Sequence, residues 1–451
     1  MENITSRLSR FVAQLSYEDL SADVIEQTKL FIADYYAACF AGYRINRQLN
    51  DAALELMLQD GGREEATVLF SGKRLPAGNA AFLNALYAHG ADMDDGNRKA
   101  AGHIAAHVMS AVFALAEAEG AAWEQVITAV NAGYEIFNRV VGAAQPSLYS
   151  RGFHSTGIGG GIACAAACAK LLDLDANGIY NAISLAAIQS SGLILIDESG
   201  QGCKPINPAN AARTGLLSAR LAAGGVESSR NPLESKKGWF NAFCDQVDEA
   251  LIWEDLGKTF TISESYLKLY PACRHTHCCI DGALTLRQRL LDAGLCHGDI
   301  DALDVTIYPS AIRSAGTILY PKNADEVKFS IHYCIAAALT EGHFGLDSLE
   351  PEKRDFSRLI PRITLSPEPS MEDRKAGIRG AKLRVQCING RVFEETVLIP
   401  KGEARLPLLW PDIEEKLRQC GGTLLSEESL RAGLSGLDAA GPGIPFAHCF
   451  G

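Results

Sequence analysis

For its first 262 residues the chain shows a hydrophobic period of three to four and no convincing alternation, which confines this stretch to packed helices. Apolar residues recur at that spacing from Ser6 to about Met57, as in Val24, Ile25, Leu30, Ile32, Tyr35 and Tyr36, with Ser21 as an expected N-cap. Pro76 opens a second run, expected over residues 80 to about 92. Further helices are expected from residue 103 to about 119, closed by Gly120, and over 121–141. Three more follow: the small-residue stretch that ends at Lys170, then 177–195 and 214–223. From about residue 263 the pattern changes. Alternating β-branched runs at 301–309, 361–365 and 382–398 read as strands, the last folding back on itself at Asn389 and Gly390, while 281–291 and 331–339 read as helices. Beyond Pro400 the helical period returns at 411–419 and 427–434. The expected fold is mainly α: a large all-helical domain over 1–262, an α+β domain over 263–399, and a return to helix over 400–451. No period of 20 to 50 residues repeats, which excludes a solenoid.

The net charge of −12 over 451 residues argues against nucleic acid or an anionic membrane as partner, because release of counterions needs a basic surface. A small anionic substrate stays open if positive charge is concentrated locally. The start of the chain has neither a basic-then-apolar signal nor an Arg-rich amphipathic pattern, and no window holds eighteen uninterrupted apolar residues, so a cytoplasmic protein is expected. Most of the thirteen cysteines, such as Cys164 and Cys168, lie inside Ala-rich helical runs, as small buried hydrophobes do in a reducing compartment. The group at 273–279 holds Cys273, His275, His277, Cys278 and Cys279, but its spacing fits no standard zinc pattern, and no metal is expected there.

Chemistry concentrates in residues 90–103. Asp92, Asp94, Asp95, Arg98, Lys99 and His103 fall within fourteen residues between two long apolar helical runs, and this density of charge reads as one wall of a site. His89 and Asp92 are three apart and are expected to share a helical face; His103, at the first turn of the next helix, is expected to share one with His107. Alternatively His103 caps that helix or pairs structurally with an aspartate, and Arg98 and Lys99 are solvated loop charges. A glycine-rich run at 157–161 suggests a dinucleotide fingerprint but fails it, because Ile162 stands where the third glycine belongs and no strand precedes. His154, Ser155 and Thr156 stand at the start of that run, either as a substrate-facing turn or as part of tight helix packing. Asn207 followed by Pro208 reads as an N-cap and first turn, and Lys204 just ahead of it would join its charge to the helix dipole at one carboxylate site.

These stretches together resemble the MmgE/PrpD family. The likeness rests on His89, Asp92, Asp94 and Asp95 followed by Gly102 and His103; on Gly152 to Gly157 with His154 and Thr156; on Lys204 ahead of Ala211 and Ala212; and on Lys268, Tyr270, Pro271, Cys273 and His277, with Phe329 to Tyr333 fitting as well. Their order and spacing cover nearly the whole chain. The resemblance implies a helical domain built from the N-terminal part and the C-terminal return, with the α+β domain inserted as a lid. It also implies a homodimer that uses no metal or organic cofactor, and a pocket between helical domain and lid lined by Asp92, His103, His154, Lys204 and Lys268, with Tyr320, Thr156 and His277 joining them. The implied activity is that of a lyase, a dehydratase or decarboxylase acting on a small di- or tricarboxylate of the 2-methylcitrate or cis-aconitate type. The alternatives are an epimerase of an amino or imino dicarboxylate such as iminodisuccinate, and a non-catalytic carboxylate-binding relative.

In that chemistry His103 is the expected general acid/base, since an imidazole both takes and gives a proton near neutral pH. Asp92 is expected to hold its tautomer, and His154 to serve the leaving group or the opposite face. Lys204 and Lys268, with Arg151 or Arg274, would offset the negative charge that builds on the substrate. Four positions depart from the family pattern: Ile104 follows His103 where proline is common, Gly96 stands where threonine is frequent, and Asn207 and Ala209 replace the usual histidine and glycine.

Overall fold

The computed structural model describes residues 3–195, 202–373 and 377–450. The chain divides into two compact units. The first comprises Met1–Gly90, Asp94–Tyr266 and Leu409–Gly451; the second comprises Ala91–Met93 and Leu267–Leu408. Residues 400–408 go with the second unit because Leu267 donates its N–H to the Gly402 carbonyl and Arg274 pairs with Glu403 at 2.6 Å.

Helices make the first unit. Ala22–Ile45 starts on the Ser21 hydroxyl, which accepts from Val24 N–H, and packs against Ala77–Gly90. That packing depends on bare backbone: a Cβ on Gly42 would lie 1.8 Å from the Tyr87 carbonyl oxygen. Among the described residues the most extensive helix pair is Ser155–Leu171 with Ile206–Ala223, where a Cβ on Gly215 would lie 2.2 Å from the Cys164 side chain. The glycine-rich run is buried throughout and serves close helix packing, with its first turn left to other uses. The C-terminal return, Trp410–Gly421, lies on the Ala22–Ile45 helix through a buried ion pair, Lys416 Nζ to Asp34 Oδ1 at 2.6 Å.

Several expected boundaries move. The helix expected over 177–195 is Ala176–Ala187, followed by turns that include Gly192 at φ +134°. The helix expected from 214 starts at Ile206, on Pro205, so Asn207 is not its N-cap; residues 197–201 of the preceding loop lie outside those described. A short antiparallel hairpin, Ala66–Val68 with Lys73–Leu75, interrupts the expected all-helical run. Strands of three residues are too short for alternation to register.

The second unit carries a four-stranded sheet in the order Ile363–Pro367, Ile300–Ile307, Ala381–Cys387, Val392–Val397. The first pair is parallel and the others antiparallel, and the hairpin closes at Gly390, whose φ of +81° suits glycine. Alternate residues of Ala381–Cys387 are buried, and the helix His277–Asp292 covers that hairpin, with Ile331–Glu341 packed on the helix in turn. Among the described residues no helix is long and apolar enough to cross a membrane.

Candidate active site

The charged loop is organised by Asp95. The helix Ala105–Glu119 begins without a polar side chain at its N-cap, Ile104, so its first amide hydrogens need an acceptor from elsewhere. Asp95 Oδ1 accepts from Ile104 N at 3.1 Å and Ala105 N at 2.9 Å, while Tyr134 Oη donates to Oδ2 at 2.7 Å. Burial pushes this carboxyl up to about 7 against the lowering effect of the Tyr134 and backbone hydrogen bonds. Asn97 ties the loop to itself, its Oδ1 accepting from Lys99 N and Ala100 N and its own N–H donating to the Gly102 carbonyl.

That loop presents His103 in one orientation. The Nδ1 atom lies 2.6 Å from the Asp95 carbonyl oxygen, and because a carbonyl only accepts, Nδ1 carries hydrogen and the lone pair of the neutral ring is on Nε2. Asp94 Oδ1 lies 3.4 Å from the same Nδ1, so an imidazolium formed there meets a carboxylate. The other oxygen of Asp94 is 2.7 Å from His89 Nδ1, and the His89 and His103 rings stand 4.8 Å apart, edge to face. His89 and Asp94 have wholly buried side chains, whereas that of His103 is 13% exposed. Of the three, His103 is the one that reaches outward.

His154 immediately precedes the helix Ser155–Leu171 and its ring lies 5.8 Å from that of His89. Its Nδ1 is 3.0 Å from Asn207 Nδ2. Thr156 Oγ1 accepts from His103 N–H at 3.0 Å, which links the two expected site stretches directly. Lys204 is half-buried in the turn that leads into the helix Ile206–Ala223. Arg151 is exposed and faces Asp245 at 3.4 Å.

The structure differs from the expectations at several residues. The helix ending at Gly90 does not reach Asp92, which takes φ +55° and belongs to the second unit, where Lys268 Nζ lies 3.1 Å from its carboxylate and 2.9 Å from its carbonyl. The tautomer of His103 is thus set by the Asp95 carbonyl and Asp94, not by Asp92. His103 lies outside the helix Ala105–Glu119 and so shares no helical face with His107, which sits inside it 3.4 Å from Cys164 Sγ; burial drives the His107 pKa down to about 3 against a hydrogen bond to the His103 backbone. In the second unit His277 has both ring nitrogens engaged, Nδ1 with Arg274 Nη1 at 2.9 Å and Nε2 with the Ala272 carbonyl at 3.2 Å. Burial, then the charges of Arg274 and Lys268, hold it well below the ordinary histidine range. Arg274 itself is committed to Glu403, and Tyr320 is 54% exposed.

Gly96 exchanges two backbone hydrogen bonds with Tyr266, and a Cβ added there would lie 2.4 Å from Tyr266 Oη. The phenol occupies the space that a threonine side chain would need.

His89, Asp94 and His103 offer donor atoms within 4.8 Å of one another, which raises the question of a metal. A tetrahedral ion with bonds of about 2.0–2.1 Å spaces its ligands roughly 3.3 Å apart. The His89–Asp94 contact at 2.7 Å is a direct hydrogen bond and His103 Nδ1 is directed at a carbonyl, so the arrangement fits a hydrogen-bonded triad better than an ion cage.

The first unit thus holds a histidine–aspartate cluster and the second a buried lysine–aspartate pair. The chain belongs to the MmgE/PrpD family: the MmgE/PrpD N-terminal domain matches residues 6–251 and the C-terminal domain matches residues 270–434. Similar proteins include the cis-aconitate decarboxylase-like protein oryM of Aspergillus oryzae, 26% identical over 470 residues that span 95% of this chain and 92% of that protein. A cis-aconitate decarboxylase of Aspergillus terreus is 26% identical over 482 residues, spanning 99% of this chain and 96% of that protein. The cis-aconitate decarboxylase of Homo sapiens is 24% identical over 444 residues, or 96% and 90%.

Proposed function

We propose that this chain is a cofactor-independent lyase that acts on a small di- or tricarboxylate of the cis-aconitate or 2-methylcitrate type, with His103 as general acid/base. The observation that supports it most is the orientation of His103: Nδ1–H bound to the Asp95 carbonyl, Asp94 beside it, and the proton-exchanging Nε2 on the opposite side of the ring. The names of the similar proteins favour decarboxylation. In that reaction the bond between the departing carboxylate and the carbon skeleton breaks, its electron pair stays on the skeleton, and the imidazolium of His103 gives the Nε2 proton to carbon as CO2 leaves. The neutral ring then recovers a proton from solvent. Asp94 stabilises the charged ring before transfer, worth several kcal/mol when such a partner is preorganised away from water. In a dehydration the same neutral Nε2 would take a proton from the carbon beside a carboxylate while hydroxide departs from the next carbon.

Lys204, half-buried in the turn ahead of its helix, is the cation assigned to a substrate carboxylate. The helix Ile206–Ala223 adds the positive end of its dipole close to Lys204. The reading carries a homodimer with it, checked by light scattering on the eluting protein. The deciding experiment is a mass-spectrometric screen of citrate-like, cis-aconitate-like, malate-like and aminosuccinate-like compounds with the purified chain. Loss of CO2 or of water from a carboxylate supports the lyase. Inversion with solvent deuterium uptake and no other change in mass would replace it with an epimerase, and thermal stabilisation by a carboxylate without turnover would leave a binding protein.

A further inference from the structure

His103 and His154 differ in which ring nitrogen holds hydrogen, and the cause lies in Asn207. Its side-chain nitrogen is 3.0 Å from the Leu193 carbonyl oxygen and 3.0 Å from His154 Nδ1. The carbonyl accepts only, which identifies that atom as the amide nitrogen, and its two hydrogens are then shared between Leu193 and His154. Nδ1 of His154 is therefore the acceptor, and the neutral ring carries its hydrogen on Nε2. Protonating Nδ1 would set two N–H groups against each other. Turning the amide over would lose the Leu193 bond and place two acceptors face to face. The amide is also wedged: a Cβ on Gly157 would lie 3.1 Å from Asn207 Cβ, and one on Gly192 would lie 3.3 Å from Asn207 Cγ. His154 N–H donates to the Gly192 carbonyl, so the same turn fixes backbone and ring together.

We propose that Asn207 is a positioning residue that holds His154 as a neutral hydrogen-bond donor through Nε2, so that His154 polarises a substrate carboxylate and His103 alone moves the proton. The chemical consequence rests on the lyase reading; the tautomer does not. His103 tolerates both charge states, because Nδ1–H donates to the Asp95 carbonyl in either, whereas His154 can charge only by breaking its bond to Asn207. A neutral imidazole N–H lowers the energy of negative charge on oxygen without giving up its proton, and this division of labour separates the two histidines. An aspartate at 207 would reverse it, by accepting from Nδ1–H and favouring the imidazolium.

The test is nitrogen NMR on the full chain with 15N-labelled histidine, His154 being assigned by the signal lost in His154→Gln. The expected wild-type result is an unprotonated Nδ1 and a protonated Nε2 that do not titrate between about pH 6 and 8. Asn207→Asp is expected to move hydrogen onto Nδ1 and bring the ring into titration. With an active substrate in hand, Asn207→Asp should also lower kcat roughly tenfold or more and add a second ionisation to the pH profile of kcat/KM, while Asn207→Gln, which keeps the amide donor, recovers part of the rate. A wild-type His154 with hydrogen on Nδ1, or one that titrates within that range, overturns the proposal. If the NMR result holds and no carboxylate is turned over, the lyase reading fails and the tautomer assignment stands.

Discussion

Asp94 bridges His89 and His103, one carboxylate oxygen 2.7 Å from His89 Nδ1 and the other 3.4 Å from His103 Nδ1. The bridge makes Asp94 the group that feels the charge on His103. Asp94→Asn keeps the shape and removes the charge, so kcat is expected to fall on the order of 10²-fold with little change in melting temperature. Steady-state kinetics beside a thermal melt checks this; an unchanged kcat would show that His103 never carries charge during turnover.

Asp95 gives a pH prediction with a definite sign. Its carboxyl sits near 7 when folded, chiefly because it is buried, against about 3.9 in an unfolded chain. Between those values the folded protein binds the extra proton, so Asp95 makes stability fall as pH rises from about 4 to about 7 and adds no further slope above that. Asp95→Asn removes the titration while keeping an acceptor for Ile104 and Ala105. Urea midpoints measured across that range are expected to decline less in the variant than in the wild type, and parallel curves would count against a buried, titrating Asp95.

Gly96 and Tyr266 compete for one volume. Gly96→Thr alone is expected to cost about 1–3 kcal/mol by overpacking, because its Cβ would meet the Tyr266 hydroxyl at 2.4 Å. Combined with Tyr266→Ala, the cost should fall below the sum of the two single changes, as contacting residues in a double-mutant cycle do. Additive denaturation energies would mean that the two side chains do not share that space.

The ion pair of Lys416 with Asp34 ties the C-terminal return to the helix Ala22–Ile45 inside the first unit, with both side chains 1% exposed. Lys416→Met takes the cation away from the buried Asp34 carboxylate and is expected to lose about 3–5 kcal/mol. Lys416→Met with Asp34→Leu should recover much of it, because the pair itself is close to neutral against apolar replacements. Chemical denaturation reads both, and equal losses in the single and double variants would point to packing in place of charge.

Much of this architecture is visible in the amino-acid pattern, because periodicity reports which face of each element is buried. The Ser21 cap, the stop at Gly120 and the strands that meet at Gly390 follow from local chemistry alone. What escaped local reading depends on groups distant in sequence. The start of the helix at Ala105 is set by the Asp95 carboxylate ten residues earlier, so helical spacing assigned His103 and His107 to a shared face that does not exist. Asp92 was the natural partner of His103 if the helix continued past Gly90; the left-handed turn at Asp92 sends it to Lys268 instead. Asn207 reads as a cap because an asparagine before a proline usually is one, and its bond to His154, 53 residues away, becomes visible only in three dimensions. The motif that contains His89, Asp94 and Asp95 did carry the signal for the triad, though periodicity could not say which aspartate meets which histidine.

Proton transfer by His103 is what the proposed lyase chemistry requires. The most direct measurement is turnover of cis-aconitate in deuterium oxide by the wild-type chain and by His103→Gln, followed by mass spectrometry. The expected result is loss of CO2 with one deuterium fixed on the carbon skeleton of the product, and a rate roughly 10²–10⁴-fold lower in the variant, whose melting temperature stays close to that of the wild type. Deuterium-labelled product formed at an undiminished rate by His103→Gln would contradict it.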